Sequence, residues 1–572
     1  MNLQKITLCT LLSAAALNGC QSEKAKDNAS NFARAWCISG GPIYTAIDET
    51  PQIDAIAIRK GIITYAGKDS GNWCKESAGP NSKKIDLKGA AAFPGFTDAH
   101  GHLIGIGLRE MTLNLEGTKS IEDLKAKLAA VAVETPKGDT IYGRGWIETH
   151  WPENRFPNKA DLDAVTTDHV VILERADGHA SVVNSLALTN AKITDKTKDP
   201  FGGAINRDAD GSATGMLIDN AATLVDSLRP SLTEERRREA YIRAGELYAS
   251  RGWTNIHSMS VNPDDIPLLN TLAREGKLKI RVYNSIDLLP AKGSQTFSIF
   301  GDESSAKNTL ITTRAIKLYA DGALGSRGAA LLAPYSDDEK NSGLLLLKKK
   351  RADAIFDAAL RNGTQVNTHA IGDRANRMIL DWYQDAFERV PTGQRAIKNP
   401  RWRIEHSQII DPSDIPRFVE LGVIPSMQPS HAIGDLHFAP DRLGKNRLSG
   451  AYAWRALIDS GAIIAGGSDA PVEVGDPRIE FYAATQRKDL KGFSDEDWKP
   501  EQKVTPQEAL KMFTIWPAYA AFQDTEIGSI KVGKKADLTI FSTDFMTANG
   551  PDIQTAKPVL TMVEGRVVYD GR

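Results

Sequence analysis

The stretch Phe93-Pro94-Gly95-Phe96-Thr97-Asp98-Ala99-His100-Gly101-His102 closes an apolar strand segment, Ala91 to Thr97, and runs into polar residues with chemical potential. On a strand, residues two apart face the same way, so His100 and His102 can project together and grip one cation. The pattern of an apolar segment ending in polar or acidic residues and followed by a helical stretch recurs along the chain. It appears at Thr254 to His257, Lys279 to Asn284, Ala315 to Tyr319, Gln365 to His369, Trp402 to His406, Val423 to Gln428 and Ile463 to Ser468. Strands alternating with helices predict a parallel sheet, and eight such strands predict an α/β fold built on a closed (β/α)8 TIM barrel, residues 91–525. A long gap after the first strand, about residues 115–245, is expected to be an insertion covering the barrel mouth. Short strands punctuated by turns, at residues 35–90 and 526–572, predict one small composite β-sandwich made from both ends of the chain.

The ten histidines sharpen this picture. His369 closes the fifth strand and His406 the sixth, and Asp469 follows the eighth. Active-site residues of such barrels sit at the C-terminal ends of strands, so His100, His102, His369, His406 and Asp469 are expected to ligate metal. Nitrogen and carboxylate donors together suit Zn²⁺ best, with Mn²⁺, Fe²⁺ and Co²⁺ as alternatives.

Lys+Arg number 70 and Asp+Glu 72, a net charge of −2. That lacks the basic excess of a nucleic-acid binder. No apolar stretch reaches the roughly 18–20 residues of a membrane span. The start of the chain, Lys5 and then an apolar run from Ile6 to Leu17 followed by Asn18-Gly19-Cys20, has the form of a secretory signal. The expectation is a signal peptide at 1–19, lipidation at Cys20 and a polar tether at 20–34. Gln21 supplies no inner-membrane retention Asp, so the protein is expected in the periplasm as an outer-membrane lipoprotein that meets the membrane only through its lipid. Of four cysteines, Cys9 and Cys20 belong to the leader. Cys37 and Cys74 are expected to pair in that oxidising compartment. Monomer and homodimer are both open.

The chain resembles the amidohydrolase superfamily, and within it amidohydrolase family 3, which includes N-substituted formamide deformylases. The resemblance covers nearly all of the mature chain. It is carried by Pro94 to His102, Asp177-Gly178-His179 with Val183-Asn184-Ser185, Lys317 to Gly322, and His369-Ala370-Ile371-Gly372-Asp373. It is also carried by Glu405-His406, Gln428-Pro429-Ser430-His431, Ser468-Asp469-Ala470-Pro471, and Gly528 to Asp537. It implies His100, His102 and Asp469 on one metal, His369 and His406 on a second, and a carboxylated Lys317 as the bridge between two ions. It further implies hydrolysis of a C–N amide bond, of N-acyl or N-formyl type, in a small molecule. The water is metal-activated and Asp469 is the proton shuttle. His179 and His431 are candidates to hold the oxyanion or the substrate, and Trp146 and Trp151 either wall the substrate or pack in the interior. The acid usual just after the first Trp is replaced by Ile147, which puts a polar contact there in doubt. The rival readings are a deaminase of the same superfamily, against which Gly372 stands where a shuttling Glu belongs, and a non-catalytic substrate-binding surface lipoprotein.

Overall fold

A computed structural model describes residues 35–149, 151–200, 202–288 and 310–572. The expected leader, Cys20 and the tether lie outside the described residues. The eight barrel strands are β1 (Phe96–Gly101), β2 (Trp253–Val261), β3 (Arg281–Asp287), β4 (Ile311–Tyr319), β5 (Gln365–Ala370), β6 (Arg403–His406), β7 (Ile424–Met427) and β8 (Ala465–Gly466). They pair in that order, each parallel to the next. The gap between β8 and β1 is closed just past the strand ends, where Asp469 N donates to His100 O (2.6 Å) and His102 N to Ala470 O (2.7 Å).

Alternation along each strand builds two layers. Ile256, Ile316, Val366 and Ile404 are fully buried in the apolar core that the strands share with the surrounding helices. Their neighbours His257, Lys317, Asn367, Arg403 and Glu405 are also buried, and they meet across the barrel instead. Arg403 Nη1 donates to His257 Nδ1 (2.9 Å) and Asn367 Nδ2 to Ser285 Oγ (3.1 Å). The barrel is thus apolar outside and hydrogen-bonded within, as burial of polar groups requires.

The apolar run of the opening motif divides between two sheets, which corrects the expected barrel start at 91. Ala91–Pro94 pairs antiparallel with Leu538–Phe541 in the β domain, and the barrel strand begins only at Phe96. Gly95 is the joint. A Cβ there would stand 2.3 Å from Thr254 Oγ1 and 2.9 Å from Asp537 Cβ, so the side chains crowding this joint leave room only for glycine.

The β domain joins both ends of the described chain in one continuous eight-stranded sheet. Ile38, Ile56 and Ile85 share a core with Ile540, Leu560 and Met562, and Trp36 Nε1 donates to Gly565 O (2.9 Å). A disulfide links Cys37, on the strand Trp36–Tyr44, to Cys74, in the helix Trp73–Ala78, with Cα atoms 5.6 Å apart.

The insertion carries its own six-stranded sheet, from Leu113–Asn114 to Ala213–Asp219. It is shorter than the expected 115–245. The helix Glu234–Arg251, capped by Thr233 and ended by Gly252 at φ 106°, buries Tyr241, Ala244 and Tyr248 in the barrel core and so belongs to the barrel.

Candidate metal centre

The C-terminal ends of the strands bring five of the predicted ligands into one cluster, all buried but the half-buried His102. His100 lies on β1, His369 on β5 and His406 at the end of β6, with Asp469 just past β8. His100, His406 and Asp469 place ligand atoms all within 4.8 Å of one another. His102 joins through Asp469, its Nε2 3.1 Å from Oδ1. His369 joins through His406, with ring centroids 4.6 Å apart. His406 and Asp469 hold left-handed backbone conformations, φ 74° and 62°. Such strain in non-glycine residues persists where the surroundings over-determine it, typically at functional sites.

The hydrogen bonds around the cluster fix which ring nitrogens face inward. His100 Nδ1 meets Glu405 Oε2 at 2.5 Å and His102 Nδ1 meets Met259 O at 3.2 Å. Both partners are acceptors, so Nδ1 is the donor in each ring. The Nε2 lone pairs are left facing Asp469 Oδ1, at 3.4 and 3.1 Å. His406 Nδ1 likewise donates to Gln428 Oε1 (2.9 Å). His369 Nε2 is buried without a hydrogen bond. An imidazole lone pair against a carboxylate oxygen is repulsive unless a cation lies between them; Lys317 Nζ, 3.4 Å from His100 Nε2, answers that nitrogen and leaves the His102 lone pair against Asp469. The donor set therefore fits a divalent metal, with ring tautomers set by outer partners as metal-binding histidines require. Burial pushes the pKa values of His100, His369 and His406 well below the usual imidazole range, so they stay neutral, the ligating form.

Lys317 points into the same space, its Nζ 3.4 Å from His100 Nε2. Burial lowers its pKa, against the pull of Glu405 and Asp469. His431 stands over Asp469 from the helix Pro429–Asp435, its Nε2 3.6 Å from Oδ2. His179 comes from the insertion, where its Nδ1 pairs with Asp219 Oδ1 at 2.8 Å. Of the two roles open to the paired tryptophans, substrate wall or packing, the structure has packing. Trp146 and Trp151 are buried in the insertion's own core, donating to Leu173 O and Thr118 O. The acid missing at Ile147 is found one residue on, where Glu148 pairs with Arg175 (2.8 Å).

Several positioning residues went unassigned at the sequence level. Arg403 and Glu405, two apart on β6, are both fully buried, and Arg403 Nε lies 2.7 Å from Glu405 Oε1. That pair carries His100. Asp98 ties β1 to β8 by accepting from Ser468 N (2.8 Å), Ser468 Oγ (2.6 Å) and Tyr248 Oη (2.9 Å). Asp321 accepts the backbone N–H groups of Ala330, Ile371 and Gly372. The available signal was charge at alternate positions of otherwise apolar strands. Glu405→Gln should weaken metal binding by about 10–100-fold through loss of the His100 anchor. Competition with a chelator checks this, and unchanged affinity would refute the anchoring role.

Comparison with known proteins agrees with this geometry. The model of the amidohydrolase family matches residues 83–569. The Bacillus subtilis protein YtcJ is 32% identical over 538 residues, 93% of this chain and 98% of that protein. The N-substituted formamide deformylase of Arthrobacter pascens is 25% identical over 535 residues, 90% of this chain and 95% of that protein. Among solved structures, a metal-dependent hydrolase from Pyrococcus horikoshii superposes with a TM-score of 0.71 at 28% identity, covering 90% of this chain and 99% of the other.

Proposed function

This chain belongs to the amidohydrolase family of metal-dependent hydrolases, and from that premise we propose that it cleaves the C–N amide bond of a small N-acyl or N-formyl substrate. The convergence of imidazole lone pairs on Asp469 carries the reading. His100, His102 and Asp469 would hold one ion and His369 and His406 a second, with a carboxylated Lys317 between them, and Zn²⁺ suits these donors best. When bound, divalent cations supply Lewis acidity, acidifying water and polarising a carbonyl.

The chain's own groups do the rest. Asp469 presents Oδ1 to the imidazoles and Oδ2 to the cleft beside His431. Oδ2 accepts a proton as water adds to the carbonyl carbon, and returns it to the nitrogen as the C–N bond breaks, acting as base and then acid. His431 Nε2 is placed to donate to the carbonyl oxygen as it gains charge. His179, held by Asp219, approaches from the insertion side. The activity named for the Arthrobacter pascens relative, deformylation of N-substituted formamides, is of this class. Metal-loaded protein should release amine from N-formyl or N-acyl compounds, and chelation should stop it. A screen of such compounds with Zn- and Mn-loaded protein tests this, and release unaffected by chelation would refute it.

The proposed setting is the periplasmic face of the outer membrane, with lipid on Cys20. The Cys37–Cys74 bond supports an oxidising compartment. Mass spectrometry of the native N-terminus should find lipidated Cys20. An unmodified peptide starting elsewhere would rule the anchor out.

A further inference from the structure

The cleft beyond Asp469 holds a carboxylate that the protein does not neutralise. Glu473 sits on the loop that follows Asp469. Arg109 pins this loop by donating to the backbone carbonyls of Glu473 (3.0 Å) and Val474 (3.1 Å). The Glu473 side chain is 28% exposed and its Oε1 lies 3.9 Å from His431 Nε2. Among the described residues, nothing cationic lies closer to it.

His431 is the second observation. It is only 7% exposed. Gln408 Nε2 donates to its Nδ1 (2.9 Å), so Nε2 carries the proton. That N–H makes no hydrogen bond, although it lies 3.6 Å from Asp469 Oδ2 and 3.9 Å from Glu473 Oε1. A buried donor between two carboxylates that engages neither is a donor waiting for another acceptor.

We propose that Glu473 forms a subsite for a protonated amine on the substrate, while His431 Nε2 donates to the scissile carbonyl of the same molecule. The substrates are then amides bearing an ammonium group a few bonds from the carbonyl, as α-aminoacyl amides do. The proposal deepens the amide-hydrolase reading and rests on it. The charge logic is local. Desolvation, together with Asp435, Asp469 and Glu116, pushes the Glu473 pKa well above the usual range, and a bound cation relieves that cost.

The test compares α-aminoacyl anilides with their N-acetyl counterparts, in both enantiomers, on metal-loaded wild type and on Glu473→Gln. Metal content and circular dichroism confirm that the variant is folded. Wild type should favour the free amine by about tenfold to a hundredfold in kcat/KM, the span expected of one charge-assisted contact. In Glu473→Gln that ratio should fall to near one, mainly through KM. In Glu473→Lys it should swing towards amides carrying a carboxylate at the same position. Equal turnover of both anilides by wild type, or an unchanged ratio in Glu473→Gln, overturns the subsite and leaves the amide reading standing. Failure to cleave either anilide, or any N-acyl compound, overturns both.

Discussion

Asp469→Asn should abolish turnover, lowering kcat by about two to four orders of magnitude, while the fold and at least one bound metal remain. The amide keeps the size of the carboxylate and an oxygen that can still face His100 and His102. It cannot take a proton from water at neutral pH, so the transfer to the leaving nitrogen has no carrier. Because Asp469 N also bonds His100 O, the backbone should stay in place, and loss of rate would report chemistry rather than collapse. Steady-state kinetics beside metal analysis decides the matter. A kcat near that of wild type would remove the proton-shuttle role.

Lys317→Ala should leave the protein short of about one ion and cost on the order of a hundredfold or more in kcat, since one cation's Lewis acidity is worth several kcal/mol. Lys317 Nζ is buried beside His100 Nε2, with no carboxylate in ion-pair range among the described residues. Burial favours its neutral form, the form that takes up carbon dioxide. The carboxylated side chain would then face the two histidine pairs with two oxygens. Bicarbonate should accordingly enhance metal reconstitution of the wild type and leave the variant unaffected. Two full equivalents of metal and full activity in Lys317→Ala would end the bridging role.

Much of the barrel was legible because its signals are local. Period-two spacing put His100 and His102 on one face, and the switch from apolar to polar marked strand ends at His369, His406 and Asp469. What escaped depends on contacts between distant segments. Glu405 reaches His100 across 305 residues of chain, and no pattern within β6 names that partner. Ala91 to Thr97 reads as one strand because its apolar run is continuous, yet Ala91–Pro94 pairs with Leu538–Phe541, and only the crowding at Gly95 shows where one sheet gives way to the other. Most of the helix Glu234–Arg251 falls within the expected insertion because that expectation spans the whole gap between the first two strands. Its buried face, Tyr241, Ala244 and Tyr248, assigns it to the barrel. Trp146 and Trp151 lay near a motif but pack inside the insertion. Glu473 is an ordinary acid in the sequence, and it gains meaning only from its position beside His431.

Elemental analysis of protein purified without chelators tests the central claim most directly. The account predicts about two divalent ions per chain, the number held by a bridged two-metal site, lost on chelation and regained on adding Zn²⁺. A chain that folds yet binds no divalent ion in excess Zn²⁺ would contradict it.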